Sequence, residues 1–165
     1  MLETAELGSP IGTLALVASP LGLCAVDFDC DWVRLRSQLE RRFGPVRLEA
    51  KADPAGAVSA LRRYFAGDVR ATLAIAVDTG GTPFQQQVWT TLRTIPVGRT
   101  WSYADMAKAI GRPSATRAVG AANGANPVGV VVPCHRVIGR NGSLTGYGGG
   151  LPRKVWLLRH EGALL

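Results

Sequence analysis

"SYADMAKAIGRPSATRAVGAAN" spans residues 102–123, and its punctuation predicts two short helices with a tight joint. Ser102 and Asp105 have the spacing of a capping box, in which a hydroxyl and a carboxylate each accept from a backbone N–H of the other residue's turn. The helix they open runs to about Gly111, where a residue without a Cβ can stop it. Pro113 and Ser114 then lead into a second helix beginning near Ala115. Two short helices joined through Gly-Arg-Pro have the outline of a helix-turn-helix.

The second of these helices is thin. Ala115, Ala118, Gly120, Ala121, Ala122 and Gly124 leave few bulky groups on its surface, and Arg117 is the exception. An ordinary helix with side chains is about 10–12 Å across, whereas the minor groove of duplex DNA is only about 6 Å wide. A helix of small residues can approach that groove, and a cation projecting from it can enter the groove or the base stack. Close packing against another helix is the other use of such a surface.

Charge follows the same division. The chain of 165 residues carries a net +7. From Phe84 onward stand ten bases and only two acids, Asp105 and Glu161, while the first 83 residues are close to neutral. A polyanion such as nucleic acid fits the basic half, and so does a generally basic surface. No stretch is apolar for the eighteen residues that a membrane helix needs. The N-terminus starts with acids and lacks the basic start and apolar core of a secretory leader, so a cytoplasmic location is expected. Cys24, Cys30 and Cys134 are too few and too irregular for a disulfide framework. With only His135 and His160 to join them, no metal site is expected.

Upstream, "GTLALVA" at 12–18 and "GLCAVDF" at 22–28 flank a Pro-Leu-Gly turn and predict a β-hairpin. Trp32, Leu35, Leu39 and Phe43 have helical spacing. Asp53-Pro54 is expected to cap a helix running through Tyr64 and Phe65, and "ATLAIAVD" at 71–78 is expected to form a strand. A boundary is expected near Gly80-Gly81. Beyond it, Thr82, Pro83 and Gln85 form a second capping box opening a helix to about Thr94. The expected fold is an α/β N-terminal domain over 1–80, a small sheet with flanking helices. A mostly α C-terminal domain with the helix-turn-helix follows over 81–165.

The chemistry centres on "VVVPCHRVIG" at 130–139, read as the end of an apolar strand. An ordinary thiol has a pKa near 8.5 (roughly), so little thiolate exists at neutral pH without help from its neighbours. Cys134 follows a proline, where a turn can present it, and a water can bridge it to His135. A histidine that acts as a base is commonly oriented by a carboxylate. Asp105 is used as a cap, which leaves Glu161 and the relay Cys134–water–His135–Glu161. A buried structural cysteine with incidental neighbours is the plainer alternative.

"PCHRVIG", preceded by "ANPVGVVV" and followed by "GSLTGYGGGLPRKVWLLRHEG", resembles the O6-alkylguanine-DNA alkyltransferase family. "FQQQVW", "SYADMA" and "RAVGAAN" strengthen the likeness, which is close over residues 82–162 and loose before them. The resemblance implies a monomeric protein without a cofactor that binds double-stranded DNA in the minor groove and turns the damaged guanine out of the stack. The O6-alkyl group, and in some cases that of O4-alkylthymine, then moves irreversibly onto its own cysteine. By resemblance, Cys134 is the acceptor, His135 the water-mediated base, and Glu161 its orienting carboxylate. Asn126 holds the network around the thiol. Tyr103 donates to the departing base and crowds the neighbouring phosphate. Arg117 fills the place left in the stack. Val137 and Gly148 read the guanine edge, and Tyr147 walls the pocket. Arg112 and Arg140 meet phosphates, and Ala115 and Gly120 keep the helix thin. Gly129 and Gly148 stand where some relatives have proline and serine, which implies a roomier pocket.

Overall fold

The computed structural model describes residues 1–164 and divides into two compact units, Met1–Gly80 and Gly81–Leu165. The first unit is built on a four-stranded mixed sheet. Its strands are β1 (Leu2–Ser9), β2 (Gly12–Ser19), β3 (Gly22–Phe28) and β4 (Leu48–Ala50), in spatial order β3-β2-β1-β4. β1 and β3 flank β2 antiparallel, and β4 joins β1 in parallel. The expected hairpin is β2–β3. The sequence does not announce β1 and β4, because β1 has only Leu2 and Leu7 buried and no β-branched residue but Thr4, and β4 is three residues long.

Helix α1 (Trp32–Phe43) starts on Asp31, whose side chain accepts from the N–H groups of Val33 and Arg34. Its Leu35 and Leu39 pack with Leu2, Val17 and Val46 in one apolar cluster. Helix α2 (Ala57–Phe65) buries Val58, Leu61 and Tyr64.

Two expectations in this unit are corrected. Asp53-Pro54 does not open α2 directly: a single 3-10 turn, Pro54–Gly56, comes first, with Ala55 and Gly56 at positive φ. Asp53 still serves the helix from a distance, accepting from the Ser59 N–H at 3.1 Å and the Ser59 hydroxyl at 2.7 Å. Residues 71–78 are not a strand. Ala71–Ala74 form a 3-10 turn, and only Val77 bridges to Leu23. A short apolar run does not by itself separate strand from turn, and here the local i→i+3 bonds from Leu73 and Ile75 prevail.

The second unit carries α3 (Pro83–Leu92), β5 (Trp101–Ser102), α4 (Tyr103–Ala109), α5 (Thr116–Gly124), β6 (Val137–Ile138) and α6 (Leu151–His160). Both expected capping boxes are present: Thr82 with Gln85 on α3, and Ser102 with Asp105 on α4. Ser102→Ala removes the acceptor for the Asp105 N–H and is expected to lower unfolding stability by about 1 kcal/mol in urea titration. Gly111, at φ 75, ends the turn after α4 in the left-handed conformation that favours glycine. Trp89 of α3 donates its indole N–H to the Ala122 carbonyl at 2.8 Å, tying α3 to α5 through a buried bond.

The expected apolar strand before Cys134 is the third correction. Val128, Val130, Val131 and Val132 are all buried. The chain nevertheless turns there, with Val131 N–H donating to Gly129 O and Val132 N–H to Val128 O. Val130 sits at φ 68, a costly conformation for a β-branched residue. Complete burial of successive valines imitates a core strand in sequence, and only the backbone reveals the turn.

Candidate active site

The parallel pair β5–β6 assembles the site. It sets Trp101 opposite Val137 and Ser102 opposite Ile138. Tyr103 follows β5 immediately, and the Cys134–Arg136 turn immediately precedes β6. Residues 36 apart in sequence are thereby held side by side. Asn126 secures the approach: its Nδ2 donates to Val132 O at 2.8 Å, and its Oδ1 accepts from Val128 N–H at 3.0 Å.

Cys134 occupies a single 3-10 turn and is 7% exposed. Burial pushes its thiol above the ordinary range, while a hydrogen bond from the Asn126 side chain and the positive charge of Lys154 act the other way. The resting sulfur is therefore held as a thiol, and a base has to take its proton when it reacts.

An imidazole is adjacent. His135 is fully buried, and its Nε2 lies 2.9 Å from Glu161 Oε2. Glu161 is held at a pKa of about 2 against desolvation, by hydrogen bonds from His135 and Arg136 and by the charge of Arg136. Burial lowers the pKa of His135, which keeps it neutral. A neutral imidazole beside an ionised carboxylate places its proton on Nε2 and leaves Nδ1 with a lone pair. Nδ1 is buried and takes no hydrogen bond among the described residues. Arg136 completes the arrangement: Nε donates to Glu161 Oε1 at 2.8 Å, Nη2 to Oε2 at 3.1 Å and Nη1 to Ile95 O at 2.9 Å.

A neutral base, its anionic orienter and a thiol thus meet in one buried cluster, with acid-base capacity and a soft nucleophile. Residues 83–163 match the family described as 6-O-methylguanine DNA methyltransferase, DNA binding domain, and residues 5–79 match its ribonuclease-like domain. The chain belongs to the 6-O-methylguanine DNA methyltransferase family. It is 49% identical over 164 residues to a methylated-DNA–protein-cysteine methyltransferase of Shigella flexneri, covering 97% of this chain and 95% of that one. A crystal structure of the Mycobacterium tuberculosis O6-methylguanine methyltransferase matches with a TM-score of 0.80 at 40% identity, over 99% of this chain and 94% of that one. The Mycobacterium tuberculosis OGT in complex with DNA matches with a TM-score of 0.76 at 41% identity, over 98% and 92%.

The other residues singled out in the methyltransferase sequence fall into two groups. The first gathers on the Cys134 turn and the loop beyond it: Val137 directly follows the turn, Tyr147 lies within electrostatic reach of Cys134, and Tyr103 reaches the loop at Thr145. The Tyr147 hydroxyl is buried without a hydrogen-bond partner among the described residues, and its ring meets His135 edge-on at 6.5 Å. The Tyr103 hydroxyl is 3.1 Å from Thr145 Oγ1. Gly148 is exposed on the loop beside Tyr147. On the surface of α5 and its approach, Arg112 and Arg117 are exposed, Ala115 and Gly120 half-buried. Arg112 also lies over the Phe84 ring at 5.5 Å. Arg140 is exposed at the start of the Arg140–Gly142 turn.

Sequence reasoning missed two side chains. Asn123 of α5 is buried and donates to Cys134 O at 3.4 Å. Lys154 of α6 is fully buried and donates to Val137 O at 2.7 Å and Thr145 O at 3.0 Å. A signal for Lys154 existed: it lies three, four and seven residues before Leu157, Leu158 and Glu161, so helical periodicity puts it on the buried face of α6. No helix of the described residues is long and apolar enough to cross a membrane.

Proposed function

We propose that this protein repairs duplex DNA by moving the alkyl group of O6-alkylguanine onto its own Cys134, once per molecule. The observation that carries the reading is the buried Cys134 turn with His135 held on Glu161 at 2.9 Å. In the step, Cys134 loses its proton through a bridging water to His135 Nδ1. Its Sγ displaces O6 from the saturated alkyl carbon, so an S–C bond forms as the C–O6 bond breaks. The electron pair passes to the guanine, and Tyr103 donates a proton to the departing base. Alkyl-cysteine has no leaving group of comparable ease, which makes the transfer a single turnover. The reading includes O4-alkylthymine as a second lesion and a monomer acting in the cytoplasm.

The base has to leave the stack to reach a buried sulfur, at a cost of a few kcal/mol (roughly) that a damaged pair lowers. In the reading, α4 and α5 act as a helix-turn-helix in the minor groove, and the second unit carries both the DNA contact and the chemistry. Val137 and Gly148 read the guanine edge, Tyr147 walls the pocket, Asn126 keeps the thiol turn in place, and Arg112 and Arg140 meet phosphates. Support comes from the exposed face of α5, where Arg117 stands among Ala118, Ala121 and Gly124. Ala115 and Gly120 keep the same helix slim, and an added Cβ on Gly120 would lie 3.9 Å from the Tyr103 ring.

Intact-protein mass after mixing with O6-methylguanine duplex tests the reading. One methyl increment per molecule, mapped to Cys134 and without turnover, is expected. An unmodified protein after prolonged mixing overturns it. Arg117→Ala is expected to slow repair of duplex about tenfold or more while leaving reaction with the free base O6-benzylguanine near wild type. Equal losses on both would remove the intercalating role.

A further inference from the structure

β1 runs on past the strand at its outer side. β2 pairs with it from Glu3 to Ser9, whereas β4 pairs only with Leu2, Glu3 and Thr4. The polar groups of a strand point to alternate sides, residue by residue. Leu2 N–H donates to Arg47 O and Thr4 O accepts from Lys51 N–H, so the even-numbered residues of β1 face the β4 side. Glu6 and Gly8 therefore turn their N–H and C=O groups outward, beyond the point where β4 leaves. No backbone hydrogen bond meets them there among the described residues. Both residues are exposed, and a Cβ added to Gly8 would touch nothing within 4 Å. An open strand edge is a template for another strand, and proteins commonly block it with lysine, proline or a covering segment. Residues 5–8 include neither lysine nor proline.

An open cavity of about 390 Å³ lies where β4 departs. Residues 4–6 and 50–52 line it, with Trp32 from the start of α1 and Val58 and Arg62 from α2. Its charges are unequally committed. Glu6 accepts from the Trp32 indole N–H at 2.9 Å, and Lys51 pairs with Glu49 at 2.9 Å. Arg62 makes no ion pair or side-chain hydrogen bond among the described residues, and Asp53 feels it only as a charge nearby.

We propose that the β1 edge and this cavity form a docking site for an extended peptide of another protein, an apolar strand that carries a carboxylate. Its backbone continues the sheet at Glu6 and Gly8, an apolar side chain rests on Trp32 and Val58, and the carboxylate meets Arg62. A second copy of this chain is the poorer occupant, because the acid on its own β1 edge is Glu6, which Trp32 already holds. The site lies wholly in the first unit, so it stands or falls independently of alkyl transfer.

The test titrates the full-length protein with a capped heptapeptide of alternating valine and aspartate, followed by backbone amide NMR. The amides of Glu6 and Gly8 and the indole of Trp32 are expected to shift and to saturate below millimolar peptide. Methylating alternate peptide nitrogens removes the donors of one edge and is expected to weaken binding about tenfold or more. Lysine in place of aspartate is expected to weaken it about tenfold, and Arg62→Glu to reverse that preference. Gly8→Pro removes only an outward N–H, since the bonds to β2 come from the odd-numbered residues, and is expected to weaken binding of the valine-aspartate peptide. Both variants are expected to melt close to wild type. If Gly8→Pro does not fold, the methylated peptide decides the backbone contact. Amides of Glu6 and Gly8 that stay fixed at millimolar peptide overturn the site, and so does equal binding of the methylated peptide. An unchanged preference in Arg62→Glu overturns the carboxylate contact. Shifts that follow protein concentration without peptide put a second copy on the edge and overturn the choice of partner.

Discussion

Cys134→Ser is expected to abolish alkyl transfer while leaving binding to O6-methylguanine duplex within about twofold of wild type. Losing an attacking group costs on the order of a millionfold where such losses have been measured, which here means no alkyl increment on any time scale practical for mass spectrometry. The physical reason is the displacement at a saturated carbon: a soft, polarisable thiolate performs it and a serine hydroxyl does not, since His135 is far too weak a base to ionise an alcohol fully. The other thiols provide no substitute. Cys24 and Cys30 are both pushed to about 11, with desolvation as the main cause, leaving on the order of one thiolate in ten thousand at pH 7. Burial raises Cys134 too. What distinguishes it is its neighbours, because Asn126 and Lys154 favour its thiolate and the lone pair of His135 Nδ1 stands beside the turn. Methyl transfer persisting in Cys134→Ser at more than a thousandth of the wild-type rate (roughly) would remove Cys134 from the acceptor role. Loss of both transfer and duplex binding would point to a collapsed turn instead.

The legible parts of this protein are those whose signal is local. Ser102 with Asp105 and Thr82 with Gln85 are capping boxes because each pair closes its own turn, so three residues of spacing suffice to place α4 and α3. Cys134, His135 and Glu161 were legible because acids are scarce in the second half, which left one carboxylate for the imidazole. What escaped depended on distant partners. β4 is three residues that become a strand only beside β1. The 128–132 turn hid behind four buried valines, and nothing local announces Val130 at positive φ. Lys154 is one of ten bases from Phe84 onward, and only the fold of α6 turns it inward. Asn123 was one more polar residue on a small-residue helix until α5 brought it against Cys134 O.

Glu161→Gln is expected to cost the second unit about 3–5 kcal/mol of stability, because it leaves the Arg136 guanidinium buried without its anion. The same change replaces the ionised acceptor of His135 Nε2 with a neutral amide. The variant should therefore unfold at a temperature on the order of 10 °C lower, and any transfer that remains should be slower at pH 7, since an unoriented imidazole is a poorer base. The pH dependence has a definite sign. Glu161 titrates at about 2 in the folded protein against an ordinary 4.5, so the folded state holds on to the ionised form. Its contribution is complete above about pH 4.5 and is lost as pH falls toward 2, on the order of 3 kcal/mol in all. His135 works in the same direction at higher pH. Burial lowers its pKa, so the unfolded chain takes up a proton first, and stability begins to fall below about pH 6.5. Urea unfolding from pH 7 to pH 3 should show wild type losing stability continuously and Glu161→Gln starting lower with a shallower acid limb. Equal unfolding free energies for the two proteins at pH 7 would mean that Glu161 is not the buried anion on which both His135 and Arg136 depend.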